Sequence, residues 1–276
     1  MNVALLSNSV PALAAAFALV GALTACGGGV DSSNGGAAGA GASHGGAAGA
    51  GASNGGAAGA GASTTGGGGQ VCGPDVTVPD EVVVGTKDPT GGVFTLDQAL
   101  EDLPEGPGPL RAIITTDLGE LSCELRPDVV PISVANFVGL ARGRRPWRDP
   151  KAGHWVKRAF YDGLIFHRVI PAFMIQGGDP LGTGMGGPGY KFDDELAGLH
   201  HEPGTLAYAN SGPNTNGSQF YVTEVKTDWL DADYTIFGLC TPVNVVTSIA
   251  AVARDANDKP LVDVHMQTIR ITRCAP

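Results

Sequence analysis

The chain has 276 residues and a formal net charge of −10, from 27 acidic against 17 basic side chains, with 43 glycines. That acidic balance excludes a nucleic-acid backbone as the natural partner, because phosphate binding needs a basic face. Glycine crowds the first seventy positions, which hold one acidic and no basic residue, so the length able to bury a core is well short of the total.

Val10–Ala25 is an apolar run too short for a membrane-spanning helix and of the length of a signal-peptide core. It ends in Leu23-Thr24-Ala25-Cys26, which resembles the bacterial lipobox, although no Lys or Arg precedes it. The resemblance implies a signal peptide over 1–25, a lipid on Cys26, and a lipid-anchored place in the cell envelope. Glycine rather than aspartate after the cysteine points to the outer membrane. Ordinary signal cleavage, with Cys26 a bystander, is the alternative. Residues 26–70 read as a Gly/Ala/Ser-rich tether in which Asn34–Ser43, His44–Ser53 and Asn54–Ser63 are near-identical repeats. Such units bury too little apolar surface to offset chain entropy. A flexible chain of roughly 45 residues has an r.m.s. span of about 35–40 Å.

Residues 71–108 form a Pro/Gly-rich extension with one helical stretch, Phe94–Leu103. Arg111–Thr116 and Glu120–Leu125 flank a short turn with Asp117 and Gly119, which predicts a hairpin. Val129–Ala141 predicts a helix, with Pro131 at its start, Val134, Phe137, Val138 and Ala141 on one face, and Gly143 as the stop. Arg144–Phe160 reads as an inserted loop; with Arg142, its basic residues Arg144, Arg145 and Arg148 are expected to be solvated. Further strands are expected at Ile165–Ile170, Phe173–Gln176, Gly204–Ala209, Gln219–Thr223, Thr235–Cys240 and Val264–Thr272. A second helix is predicted at Val243–Ala253, with Val246, Ile249, Ala250 and Ala253 inward. About eight strands and two helices argue for a mainly β domain over 109–276: an antiparallel sheet closed on itself, capped by the helices. A barrel this small is filled by its own side chains, so a site belongs on its outside.

Cys72, Cys123, Cys240 and Cys274 lack the C-x-x-C spacing of zinc or redox sites. An export signal permits disulfides, and four thiols allow three pairings. Cys123 and Cys240 fall in predicted strands and read as small buried hydrophobes, whereas Cys72 and Cys274 flank the folded part and are placed to staple its ends.

The run Phe166-His167-Arg168-Val169-Ile170-Pro171-Ala172-Phe173-Met174-Ile175-Gln176 carries the chemistry. One arginine among alternating apolar residues places a rigid five-donor fork beside an apolar surface, with Phe166 and Ile170 expected on its face and His167 on the other. With Gly177-Gly178-Asp179, the block Ala209–Tyr221, and Trp229-Leu230-Asp231 leading to Ile236-Phe237-Gly238, the stretch from about Pro109 to Cys274 resembles the cyclophilins, the cyclosporin-binding peptidyl-prolyl cis/trans isomerases. The resemblance implies a closed eight-stranded barrel with its groove on the outer face, and Arg168 as the catalytic donor to a twisted X–Pro amide. It implies that Gln176 positions the arginine, that Phe173, Met174, Tyr221 and Leu230 form the proline pocket, and that Ala209 and Asn210 pair with substrate backbone. Gln219 is a further groove contact, Trp229 borders the groove and supports cyclosporin binding, and Tyr234 stands at the pocket rim where many members have histidine. Tyr221 replaces a frequent phenylalanine, so its hydroxyl needs a partner if buried; Ala172 occupies a usual glycine. The implied partners are proline-containing polypeptides and cyclosporin-like ligands, for a monomer with no cofactor or metal. A tethered holdase or proline-peptide adaptor that binds without catalysis is the alternative.

Other motifs are set aside. Gly182–Gly189 lacks the Gly-Lys-Ser/Thr ending of a phosphate loop. Asp193-Asp194-Glu195 reads as a solvated turn, adjacent His200-His201 as no zinc constellation, and Asn216-Gly217-Ser218 as an incidental sequon.

Overall fold

The computed structural model describes residues 81–273. The elements are β1 (Val82–Gly85), α1 (Leu96–Leu100), β2 (Arg111–Thr116), β3 (Gly119–Leu125), α2 (Pro131–Ala141), β4 (Trp147–Arg148), β5 (Trp155–Lys157), β6 (Arg168–Ile170), β7 (Met174–Gly177), β8 (Thr205–Tyr208), β9 (Phe220–Thr223), β10 (Ile236–Thr241), α3 (Val243–Ala250) and β11 (Met266–Thr272). The signal-peptide, tether and lipidation expectations, Cys26 included, lie outside the described residues, as does the Cys72–Cys274 staple.

Alternation builds the sheet. In β2 every second side chain is buried, and β3 follows the same rule from Leu121 onward. The eight-stranded sheet has the order β11-β2-β3-β10-β8-β9-β7-β6, antiparallel throughout. Its two ends meet where the segments entering β6 and β11 pair: Ile165 bridges His265, Phe166 N donates to the Val264 carbonyl at 3.0 Å, and Met266 N to that of Leu164 at 2.7 Å. These bonds close the sheet into the expected barrel. Inside, Phe137 of α2 packs within 5.1–5.6 Å of the rings of Tyr161, Phe220 and Phe237.

Three α-helices are present among the described residues: the two expected over the barrel and the one expected in the extension. α1, closed by a Thr95/Gln98 capping box, packs on α2. α2 is consequently buried on all sides from Ser133 to Ala141, not on one face. Its first N–H groups are capped from a distance: Ile132 N and Ser133 N donate to the Glu195 carboxylate at 3.2 and 2.7 Å. Asp194 pins the facing loop through Asn214 N and Asn216 Nδ2. The expected solvated turn is therefore a structural clamp. α3 ends at Ala250, which leaves Ala253 exposed.

Two further corrections concern the insertion and the cysteines. Arg144–Phe160 is not a free loop: β5 pairs with β4 and with β1 of the extension, making a small second sheet. Arg142 and Arg145 are buried, contrary to the solvated reading. Arg142 donates to the Ala99 and Glu101 carbonyls, and Arg145 lies 3.9 Å from the Tyr190 ring centroid while donating to Asn136. Cys123 and Cys240 are buried as expected, but they sit opposite each other on β3 and β10 and are joined by a disulfide.

Candidate active site

Four antiparallel strands set one row of side chains side by side. Arg168 of β6 pairs with Gln176 of β7, Gln176 with Tyr221 of β9, and Tyr221 with Ala207 of β8. The neighbours one step along, Val169, Ile175, Val222 and Leu206, are buried in the barrel core. Alternation therefore sends the first row outward. The register of β7 against β6 and β9 adds Ile170 and Met174 to the outer face. Contrary to the alternation reading, Phe166 does not share that face, because it precedes β6 and turns into the core. His167 is buried as expected, its ring 3.6 Å from where Gly184 would carry a Cβ.

A second apolar cluster forms on this outer face, separate from the barrel interior. Met174, Ala207, Tyr221 and Ile236 are buried, with Ile170, Phe173, Leu199, Ala209, Leu230 and Tyr234 packed around them. Phe173 stacks against Trp229 at 6.2 Å, and Tyr221 meets Tyr234 edge-on at 5.7 Å. Trp229 is 68% exposed, so its indole is a rim and not a floor. The four residues assigned to the pocket by resemblance, Phe173, Met174, Tyr221 and Leu230, therefore do come together, next to Arg168.

The polar side of the groove is a hydrogen-bonded chain. Gln176 Nε2 donates to Gln219 Oε1 at 3.0 Å, and Gln219 Nε2 donates to the carbonyls of Gly184 and Gly186 at 2.9 and 2.8 Å. That glycine-rich loop is held from behind by Asp179, whose carboxylate accepts from Leu181 N, Thr183 N and Gly184 N. Burial alone would raise Asp179, but the backbone N–H groups of Leu181, Thr183, Gly186 and Gly184 overcome it and hold the acid below its ordinary range. Asn210 caps the opposite side: Nδ2 donates to the Asp233 carbonyl at 3.1 Å, and Oδ1 accepts from Gly212 N. Ala209 N donates to the Gln219 carbonyl at 3.0 Å.

Two neighbours of the site escaped sequence reasoning. Asp258 Oδ2 lies 3.8 Å from Arg168 Nε, and Oδ1 lies 3.2 Å from Arg254 Nε. Its backbone is left-handed (φ 63°) and its carbonyl accepts from Val169 N, so the turn is tied to β6. The acidic turn Asp255–Asp258 is visible in the sequence, but its contact with β6 is not. The second neighbour is His201, whose Nε2 is 2.8 Å from the Tyr221 hydroxyl. The tyrosine announced the need for a partner, and the fold supplies it.

A family model for the cyclophilin type peptidyl-prolyl cis-trans isomerase/CLD matches residues 111–271. The chain belongs to the cyclophilins. Peptidyl-prolyl cis-trans isomerase B of Streptomyces anulatus is 47% identical over 169 residues, covering 58% of this chain and 95% of that protein. Peptidyl-prolyl cis-trans isomerase A of Mycobacterium tuberculosis is 46% identical over 169 residues, covering 58% and 91%. The crystal structure of a Cryptosporidium parvum cyclophilin type isomerase superposes with a TM-score of 0.51 at 33% identity, over 60% of this chain and 98% of that one. A second structure of that cyclophilin, in the presence of the dipeptide Ala-Pro, gives 0.50 at 33% identity over 58% and 98%. The matched span of this cyclophilin holds the barrel with its outer groove; the extension precedes it.

Proposed function

We infer that this cyclophilin isomerises X–Pro bonds of flexible polypeptides in its outer groove, with Arg168 as the catalytic residue. The barrier to be lowered is about 18–20 kcal/mol, from delocalisation of the amide nitrogen lone pair. No bond breaks, so the work is to stabilise a twisted amide whose nitrogen has become pyramidal and carries that lone pair. A fixed donor that interacts more strongly with the twisted state than with the flat one lowers the barrier. The observation that carries the reading is the row Arg168–Gln176–Tyr221: it sets a guanidinium fork beside an outward-facing apolar cluster suited to a prolyl ring. Gln176 is bonded to Gln219 and stands opposite Arg168, Trp229 borders the rim, and Ala209 and Asn210 line the substrate-backbone side. The structure of the Cryptosporidium protein in the presence of the X–Pro dipeptide Ala-Pro supports an occupant of this kind. The test is exchange NMR on a short X–Pro peptide with the wild type and Arg168→Ala. A fall of about a hundredfold or more in exchange, at unchanged melting temperature, is expected. Binding without faster exchange in the wild type would instead favour a capture module.

The same reading places the enzyme on a lipid at Cys26, with exported chains as clients and the cell envelope, at the outer membrane, as its location. Support comes from the Leu23-Thr24-Ala25-Cys26 motif, the repetitive tether, and the Cys123–Cys240 disulfide, which suits an oxidising compartment. Radiolabelled palmitate should enter the wild type and not Cys26→Ser; equal labelling of both would remove the anchor.

A further inference from the structure

The prolyl pocket has a polar back wall that its outer surface does not reveal. Tyr221 is buried, and burial pushes its phenol far above the ordinary range, so it remains an O–H donor. Its oxygen is 2.8 Å from His201 Nε2, and the two rings lie nearly parallel at 5.9 Å. His201 Nδ1 is 2.8 Å from Asp231 Oδ1. A carboxylate only accepts, so Nδ1 carries the proton and Nε2 of the neutral ring accepts from the tyrosine. Burial favours that neutral ring, with Asp231 pulling the other way.

Asp231 also holds the pocket's opposite side. It follows Leu230 and Trp229, and its carboxylate accepts from His201 N at 2.8 Å and contacts His200 Nδ1 at 2.7 Å. The loop is fastened at its other end too, since Thr227 N donates to the His201 carbonyl at 3.0 Å. One imidazole therefore connects the wall made by Tyr221 to the loop that carries Leu230 and Trp229.

We propose that His201 and Asp231 are positioning residues for prolyl binding, which set the Tyr221 ring by its hydroxyl and fix its distance from Leu230. Without the acceptor, the Tyr221 hydroxyl either stays buried and unpaired or turns toward water through the pocket mouth. The second option penalises an incoming prolyl ring directly, because that ring must strip the hydroxyl of its water; the first costs stability and leaves the Tyr221 ring unset. This inference rests on the isomerase reading for its ligand, but not on turnover.

The test compares wild type, His201→Leu, Tyr221→Phe and the double variant for NMR-measured Kd of an Ala-Pro peptide and for exchange at saturation. His201→Leu is expected to weaken binding by about tenfold, a difference of about 1.4 kcal/mol, with saturated exchange little changed. Tyr221→Phe, which leaves only a neutral imidazole nitrogen unpaired, should cost less. The double variant should recover most of the affinity lost in His201→Leu, because both partners of the buried bond are then gone. A purely structural role would lower the melting temperature of His201→Leu while its folded fraction bound the peptide as wild type does; that result overturns the proposal. So does a double variant that binds no better than His201→Leu. If the wild type binds without accelerating exchange, the isomerase reading fails, and the same Kd comparison still decides the role of His201.

Discussion

On β9, Phe220 and Val222 face the barrel interior while Tyr221 between them faces the groove, so one backbone serves two environments. The inner set is constrained by volume: Phe220 lies within 5.6 Å of both Phe137 and Tyr161, and nothing polar is asked of it. The outer set is constrained by geometry and satisfaction, since each polar atom there either meets substrate or needs a partner. Adjacent residues on one strand thus differ in what a substitution disturbs. Inner changes should act on stability and outer ones on binding or rate.

The strongest break of that contrast starts inside. Phe220→Ala should lose about 3–5 kcal/mol of stability in urea unfolding, carrying activity down with the folded fraction. Next comes Asp179, which sits between the two regimes. Its folded pKa is depressed, so the stability it contributes is present above the unfolded value and is lost as pH falls below about 4. Asp179→Asn should cost about 2 kcal/mol at pH 7. The variant's further loss between pH 5 and pH 3, at about the unfolded carboxylate range, should be smaller than the wild type's. Urea midpoints at those three pH values check both signs.

A weaker and purely outer effect is expected at Asp258. Asp258→Asn removes a half-exposed charge from Arg168 Nε, so kcat/KM should fall by at most about fivefold with stability nearly unchanged. A larger loss, in the range expected for Arg168→Ala, would make Asp258 part of the catalytic machinery. The smallest effect belongs to Ala172, the alanine at a usual glycine, which has φ 56° and donates its N–H to Glu224. Ala172→Gly should relieve the left-handed strain and stabilise by up to about 1 kcal/mol, visible as a raised melting temperature. Together the four order the contrast from core volume to backbone strain.

The groove roles, and Tyr221 on a third strand, came from the resemblance to the cyclophilins, but the order and spacing of Arg168, Met174 and Gln176 were legible in the chain because they are local properties of two short strands. The helix α2 and the β2–β3 hairpin were legible for the same reason: a proline start, a glycine stop and a two-residue turn act over a few residues. The misreadings also have local causes. Arg142 and Arg145 look solvated in a loop sequence, since nothing nearby announces the carbonyls and rings that bury them. Phe166 was assigned to the arginine's face because the alternation of β6 was extended two residues too far.

By itself the amino-acid sequence determined the alternation of the strands, the helix boundaries to within a few residues, and the chemical groups of the groove. The first two follow from propensity and period over short distances, and the groove residues from the resemblance of their motifs to the cyclophilins. Only the tertiary structure decided what those groups touch. His201 reaches Tyr221 across 20 residues and Asp231 across 30, and Cys123 reaches Cys240 across 117. Period tells which face a side chain takes, but which residue waits on the other side depends on strand order and barrel closure, and those are set by the packing of the whole core.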